Sequence, residues 1–305
     1  MTMAPVTLNV VAFAGASNLP LWAGQDQGIF AAHGLDLALS LTPNSKAMAR
    51  DLFDGRCDLA LTSVDNIVAY GEGQGEAELG GPADFVALFG VDDGMLNVMA
   101  SADVATLADL RGRTVSVDAM TTGFAFVLRE ILGGAGVADT VDWVAVGGGA
   151  QRLAALLEGA QAATLLNTPL DLAAEARGFR RLARARDVIG PYQGIVAAVR
   201  RGAVAEKRAA FIAFAQAFRA SIAWLDAHRE EAAAILAARA NMPLPVATRA
   251  TAALLDPARG LFRDLRIDAE GLRTVLRLRS AHAQPRKALS DITRYLDLSV
   301  LDAIS

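Results

Sequence analysis

The sequence predicts an α/β protein of two lobes, each a mostly parallel sheet flanked by helices, with C-terminal helices closing the first lobe. Three observations lead there. The chain has 305 residues, more than one hydrophobic core usually serves. Strand-like and helix-like segments alternate along most of it, the rhythm of parallel strands joined by crossover helices. Small polar residues recur where strands end and helices begin, the edge at which such sheets bind ligands.

The elements follow in order. Val6–Phe13 reads as a first strand, Leu19–Ala32 as a helix leading into Gly34, and Leu35–Leu41 as a second strand. Ser45–Phe53 carries apolar residues at helical spacing, Asp58–Leu61 is a short buried strand, Val64–Tyr70 a helix and Phe85–Val91 a strand. A second unit begins with the strand Leu96–Ala100. Thr114–Val117, Val141–Val146 and Ala162–Leu166 continue it as strands, with helices at Thr122–Leu132 and Ala150–Leu157. Thr168-Pro169 has the form of a cap followed by proline at the first helical position. Leu182–Ala183 and Ile195–Val199 are strands on the return, and beyond Arg201 the chain reads as helical. In Ala205–Arg239 the residues Phe211, Phe214, Phe218, Ile222 and Leu225 recur at three- and four-residue steps, which marks a buried stripe. Amphipathic helices run from Val246 and from Asp268. The expected division is a first lobe of residues 1–94 plus 195–305, with residues 95–194 inserted as the second.

Composition narrows the function. Apolar residues make up 53% and charged ones 20% of the chain, which excludes disorder. A net charge of −4, without a basic stripe, gives no expectation of nucleic acid. Cys57 is the one cysteine and reads as a buried small residue. No charged side chain precedes Asp26, so no secretory signal is visible, and the apolar run Val10–Ala16 is too short to cross a bilayer. Neither metal-ligand spacing nor a phosphate-binding loop is present, and no cofactor is expected. Gly147-Gly148-Gly149 reads as a flexible lead into a helix near Gln151. The histidines (His33, His228 and His282) lie away from strand ends, and among the lysines only Lys46 lies at one.

The strand ends supply the candidate ligand-binding residues. In the first lobe these are Ser17 and Asn18, Asn44 and Ser45, Ser63 and Asp65, and Asp92. In the second they are Asp118, Thr121, Thr122, Gly123, Phe124 and Asn167, with Tyr192 before the return strand. Hydroxyls, amides and carboxylates suit reversible recognition through hydrogen bonds. The strand Val115–Val117, ending at Asp118 and opening a helix near Thr122, is the clearest case: its first amides lack helical partners and attract an anionic or strongly polar group.

Several segments together resemble a known family. They are Leu21 to Phe30 (LWAGQDQGIF) with Gly34 to Leu37, Leu52 to Ala60, the DLRGRTV run ending at Val115, and the loop Asp118 to Phe124. In this order, over roughly residues 6–235, they resemble the type II substrate-binding proteins of ABC importers. The branch is that of nitrate, sulfonate and taurine binders and of thiamine-precursor (pyrimidine-synthase-like) proteins. The resemblance implies a two-lobed, hinged, monomeric periplasmic-binding-protein fold that closes over a small solute and delivers it to a membrane permease outside the cytoplasm. Pyrimidine-synthase enzymes of this fold carry a cofactor lysine and a substrate histidine after the third strand. Thr62 and Asn66 stand at those positions here, and the enzyme's cysteine cluster is absent, so binding without catalysis is expected, with a cytosolic enzyme of the thiamine-precursor synthase type as the alternative.

Charge gives an expectation for the solute. Asp65, Asp92, Asp93 and Asp118 outnumber Lys46 around the expected cleft, and no arginine falls in its loops. Buried carboxylates need partners. The expected solute is therefore nitrogenous, a pyrimidine-like or amino compound, with a plain sulfonate or carboxylate as the alternative.

Overall fold

The computed structural model describes residues 4–81 and 83–305; residues 1–3 of the expected first lobe lie outside it. The first part alternates as expected: β1 (Val6–Phe13), α1 (Leu19–Asp26), α2 (Ile29–Ala32), β2 (Leu35–Thr42), α3 (Ser45–Phe53), β3 (Leu59–Ser63), α4 (Val64–Gly71) and β4 (Phe85–Gly90). Next come β5 (Leu96–Ala100), β6 (Thr114–Val117), α5 (Gly123–Gly134), β7 (Asp142–Ala145), α6 (Gly149–Leu157), β8 (Ala163–Asn167), α7 (Leu170–Glu175), β9 (Arg180–Arg184) and α8 (Ala185–Ile189). After β10 (Ile195–Arg200) the chain is mainly helical: α9 (Arg201–Glu206), α10 (Arg208–Ala227), α11 (Arg229–Arg239), α12 (Leu244–Leu254), α13 (Ala269–His282) and α14 (Ser299–Asp302).

Two five-stranded sheets result, ordered β2-β1-β3-β10-β4 and β7-β6-β8-β5-β9. In the first, β1 runs parallel to β2 and β3, while β10 is antiparallel to β3 and β4. In the second, β6 is parallel to β7 and β8, and β5 is antiparallel to β8 and β9. Each sheet thus has one antiparallel strand between its neighbours, β10 in the first, returning after the second sheet is complete, and β5 in the second. Each also reverses its order at one place, between β1 and β3 and between β6 and β8, where α/β sheets open a crevice.

Three segments differ from expectation. The helix expected over Leu19–Ala32 breaks because Gly28 turns left-handed, with φ 68°. The Ala205–Arg239 segment is interrupted near Lys207 and at His228. Pro169 takes the cap position rather than the first helical one, and the helix begins at Leu170. The aromatic stripe is core as expected: Phe214 packs with Phe30 and Phe89 at centroid distances of 5.6 and 6.2 Å. Each fully buried ring contributes about 1.5–3 kcal/mol of burial free energy. Among the described residues no helix is long and apolar enough to cross a membrane.

Two strands of chain pass between the sheets, before β5 and before β10, and Asp92 joins them. It is fully buried and accepts from Gly94 N at 2.8 Å, from Ile195 N at 3.0 Å and from the Ser17 hydroxyl. The neighbouring Asp93 bonds Arg186 at 3.0 Å. Burial raises the Asp93 carboxyl to about 6; Arg186 opposes the rise and Asp92 adds to it. With the folded value above the unfolded one, the stability this group contributes is complete below pH 4 and lost as pH rises through 6. Asp93→Asn should flatten that window, where the native group costs up to about 3 kcal/mol. Urea unfolding at pH 4 and pH 7 reads the difference; parallel pH profiles for the two proteins would count against it.

Candidate functional site

The two reversal points face one another, and a cavity of about 180 Å³ lies between them. The first sheet contributes Phe13 and Ala14 after β1, Pro43, Asn44 and Ser45 after β2, and Ser63, Asp65 and Asn66 after β3. Across from them stand Asp118, Ala119, Thr122, Gly123 and Phe124 after β6, Gly147 to Gly149 and Arg152 after β7, and Asn167 after β8. Glu76 and Ile195 complete the lining. The sides approach closely: a Cβ on Gly15 would stand 3.5 Å from the Asn167 amide nitrogen.

Helix starts supply much of the wall. The Asn44 side chain caps α3, accepting from Ala47 N at 3.0 Å. Thr122 caps α5, accepting from Ala125 N at 3.3 Å, and donates to Asp118 at 2.6 Å. At α6 the turn runs through Gly147, whose φ of 107° suits glycine, and Gln151 accepts from Gly148 N at 2.8 Å. These N-termini direct partial positive charge into the cavity.

Arg152, on the second turn of α6, is 2% exposed, and its Nε and Nη1 atoms have no hydrogen-bond partner among the described residues. Burial pulls its guanidinium below the ordinary value, and nearby Asp118 opposes that fall. Asp118 is in turn raised by burial, against the pull of Arg152 and Thr122. A buried guanidinium without hydrogen bonds is costly to fold around. Beside the cavity, its unpartnered donors are placed to receive an anionic group.

The structure places the candidate residues unequally. Asn44, Ser45, Ser63, Asp118, Thr122, Gly123, Phe124 and Asn167 line the cavity. Asp65 lines it too, yet its carboxylate is held by Arg279, with Nε to Oδ1 and Nη2 to Oδ2 both at 2.6 Å, and it accepts from Gly123 N at 2.9 Å. That bond also occupies the first amide of α5, which the sequence suggested would be free. Asp92 and Ser17 bond each other away from the cavity, because β10 separates the end of β4 from the reversal point. Asn18 donates to Phe13 O at 2.7 Å. Thr121 is exposed and bonds Glu76 at 2.8 Å. Tyr192, 1% exposed, lies in the chain returning to β10 and borders a different cavity, of about 150 Å³, shared with Asp93 and Asp171.

No arginine was expected in the cleft loops, and Arg152 reaches the cavity from inside α6 instead. Sequence reasoning passed over it because it lies a full turn inside α6, behind a glycine run taken for a flexible lead. Asp93 faces Arg186 in the other cavity, so the acidic excess expected at the mouth is reduced as well. Arg279 was also missed: nothing in the repeat of α13 shows that one of its arginines is buried. Lys46 is 51% exposed and pairs with Glu76 at 3.7 Å. Thr62 and Asn66 bond each other at 2.9 Å. Burial pushes Cys57 up to about 12, which suits a core residue. Among the described residues no group of three or more His, Cys, Asp or Glu side chains is placed to hold a metal ion.

The sequence matches the model of the NMT1-like family over residues 3–241. No curated protein sequence matches the chain. Among solved structures, it is similar to the ligand-binding component of an ABC-type import system from Staphylococcus aureus, a structure with zinc bound. The TM-score is 0.76 at 16% identity, over 98% of this chain and 99% of that one. It is similar also to the alkanesulfonate-binding protein of Xanthomonas axonopodis pv. citri bound to MOPS, with TM-score 0.74 at 17% identity, over 97% and 98%. A desulfurization enzyme, DSZB, shares the fold at TM-score 0.66 and 13% identity, over 97% and 98%. With residues 3–241 matched and the architecture shared end to end, the chain belongs to the NMT1-like family and has the periplasmic-binding-protein fold.

Proposed function

We propose that this protein is the solute-binding component of an ABC importer, working outside the cytoplasm with a membrane permease as partner. Residues 1–94 plus 195–305 and residues 95–194 act as lobes that close over the solute without transforming it. The observation that carries this reading is Arg152, buried and without hydrogen-bond partners at Nε and Nη1 among the described residues, beside a cavity where two sheet reversal points meet.

The lining favours a small organic solute with two kinds of group. An acidic group meets Arg152 and the starts of α5 and α6. A nitrogen donor meets Asp118, with Asn44 and Asn167 completing the contacts. This keeps an amino compound in view and adds an acidic group to it. The described lining residues contain no cysteine, histidine or lysine, which supports capture over covalent chemistry. Solute binding would shift the lobes by its differential affinity for the closed state.

Thermal unfolding with three panels tests the reading: plain amines and pyrimidines, plain sulfonates and carboxylates, and compounds carrying both groups. The third panel should give the largest rise in Tm. A solute at 100 times its Kd adds about 2.7 kcal/mol, about 4 °C at this size. Stabilisation by neutral pyrimidines alone, or turnover of the stabilising compound, would overturn it.

A further inference from the structure

The second cavity, of about 150 Å³, shares no lining residue with the cleft. Both connections between the sheets border it, through Asp93 before β5 and Tyr192 before β10. Asp171 reaches it from α7, Arg181 and Arg184 from β9, and Ala253 from α12. Four aspartates and four arginines line it in all, so its charges balance. Its volume is roughly ten times what one water requires.

Asp171 is 1% exposed. Its Oδ2 accepts from Asn97 Nδ2 at 2.9 Å and from Arg181 Nη2 at 3.3 Å. Its Oδ1 has no hydrogen-bond partner among the described residues, and neither has Arg181 Nε. A side-on pairing of the two residues would satisfy both atoms. Glu175, itself paired with Arg249 of α12, draws Arg181 Nη2 to 2.7 Å and holds the guanidinium away from that geometry. Burial raises the Asp171 carboxyl above its ordinary range, with Arg181 opposing. A buried acceptor and a buried donor thus stand, both unmet, on two residues already bonded to each other. Such groups are costly to leave without partners.

We propose that this cavity is a second binding site, for a small net-neutral molecule that carries an amino group beside an acidic one. A free α-amino acid is the simplest such molecule. Its amino group donates to Asp171 Oδ1, and its carboxylate accepts from Arg181 Nε. Arg184, exposed and without an ion-pair partner among the described residues, adds to the hold on the carboxylate. A plain anion or a plain cation would meet one of the two atoms, leave the other unmet and unbalance the charge. Asp93 and Tyr192 place the occupant against both connections. The site is separate from the cleft and does not rest on the reading of it.

Titration calorimetry with L-alanine, L-serine and L-asparagine tests it, in wild type and in Arg152→Met, whose cleft lacks its arginine. Saturable binding at millimolar concentration or below should persist in Arg152→Met. Adding Asp171→Asn should weaken it about tenfold or more. Adding Ala253→Phe, which keeps every charge and fills the space from α12, should abolish it. Acetate and methylammonium each carry one half of the recognised pair and should bind about tenfold more weakly or less. No saturation of Arg152→Met by any of the three amino acids would overturn the site. So would binding that either folded variant leaves unchanged, or acetate or methylammonium binding as tightly as the amino acids. If Asp171→Asn lacks a cooperative melt, Ala253→Phe decides alone. Amino acids that saturate wild type but not Arg152→Met are cleft solutes; the cleft reading then stands while this one fails.

Discussion

Arg152→Met should weaken solute binding by about 100-fold or more while leaving the protein as stable as before, or more so. The two effects have one origin. The buried Nε and Nη1 atoms have lost water and gained no hydrogen bond among the described residues, which costs about 1–3 kcal/mol for each unsatisfied group. Methionine fills much of the same volume and carries no charge to desolvate. Tm should therefore hold or rise by a few degrees. Removing the charged partner of a buried anion costs about 2–5 kcal/mol of affinity. Asp118 changes with it: losing Arg152 removes the pull that opposes its burial, so its carboxyl should move further above the ordinary range. The hold or rise in Tm is therefore expected at acidic pH, where Asp118 is protonated, and offset as pH rises. Chemical denaturation beside titration calorimetry separates the effects. A variant that loses stability and keeps affinity would assign Arg152 to the scaffold.

Gly194→Ala should be among the most damaging single changes in the chain. The two connections between the sheets touch backbone to backbone at Gly94 and Gly194. A Cβ on Gly194 would overlap Gly94 N and Cα and stand 2.6 Å from Asp92 Oδ1. No flexible side-chain tip is there to yield. Relief must come from separating the connections, which breaks the bonds from Gly94 N and Ile195 N to Asp92. A loss of about 3–4 kcal/mol is expected, about 5–6 °C in Tm. Gly202→Ala is the control: a Cβ there meets nothing within 4 Å among the described residues, and alanine in α9 should gain about 0.5–1 kcal/mol. Equal melting curves for the two variants would contradict the reading of the connections.

The fold was legible because each strand and helix states its type locally. β-branched runs such as Val6–Val11 and the stripe Phe211, Phe214, Phe218 need no distant partner to be recognised. Strand ends on the reversal points were legible for the same reason, and Asn44, Asp118, Thr122 and Asn167 lie around the cavity. What stayed hidden depends on sheet order. Asp92 ends a strand as Asp118 does, yet β10 enters between β3 and β4 from a hundred residues away and removes Asp92 from the cleft. Arg152 and Arg279 look like surface arginines on amphipathic helices, and burial is a property of what packs against them. Asp65 was placed at the cleft by its position after β3, while the partner that engages its charge lies 214 residues later.

The most direct measurement is a crystal structure of the protein purified from its own host with whatever small molecule it retains, with mass spectrometry of the released compound. One solute should lie between the sheets, its acidic group on Arg152 and a nitrogen toward Asp118, and it should leave the protein chemically unchanged. A compound seated instead in the cavity beside Tyr192 and Asp171, or one recovered as a reaction product, would contradict the account.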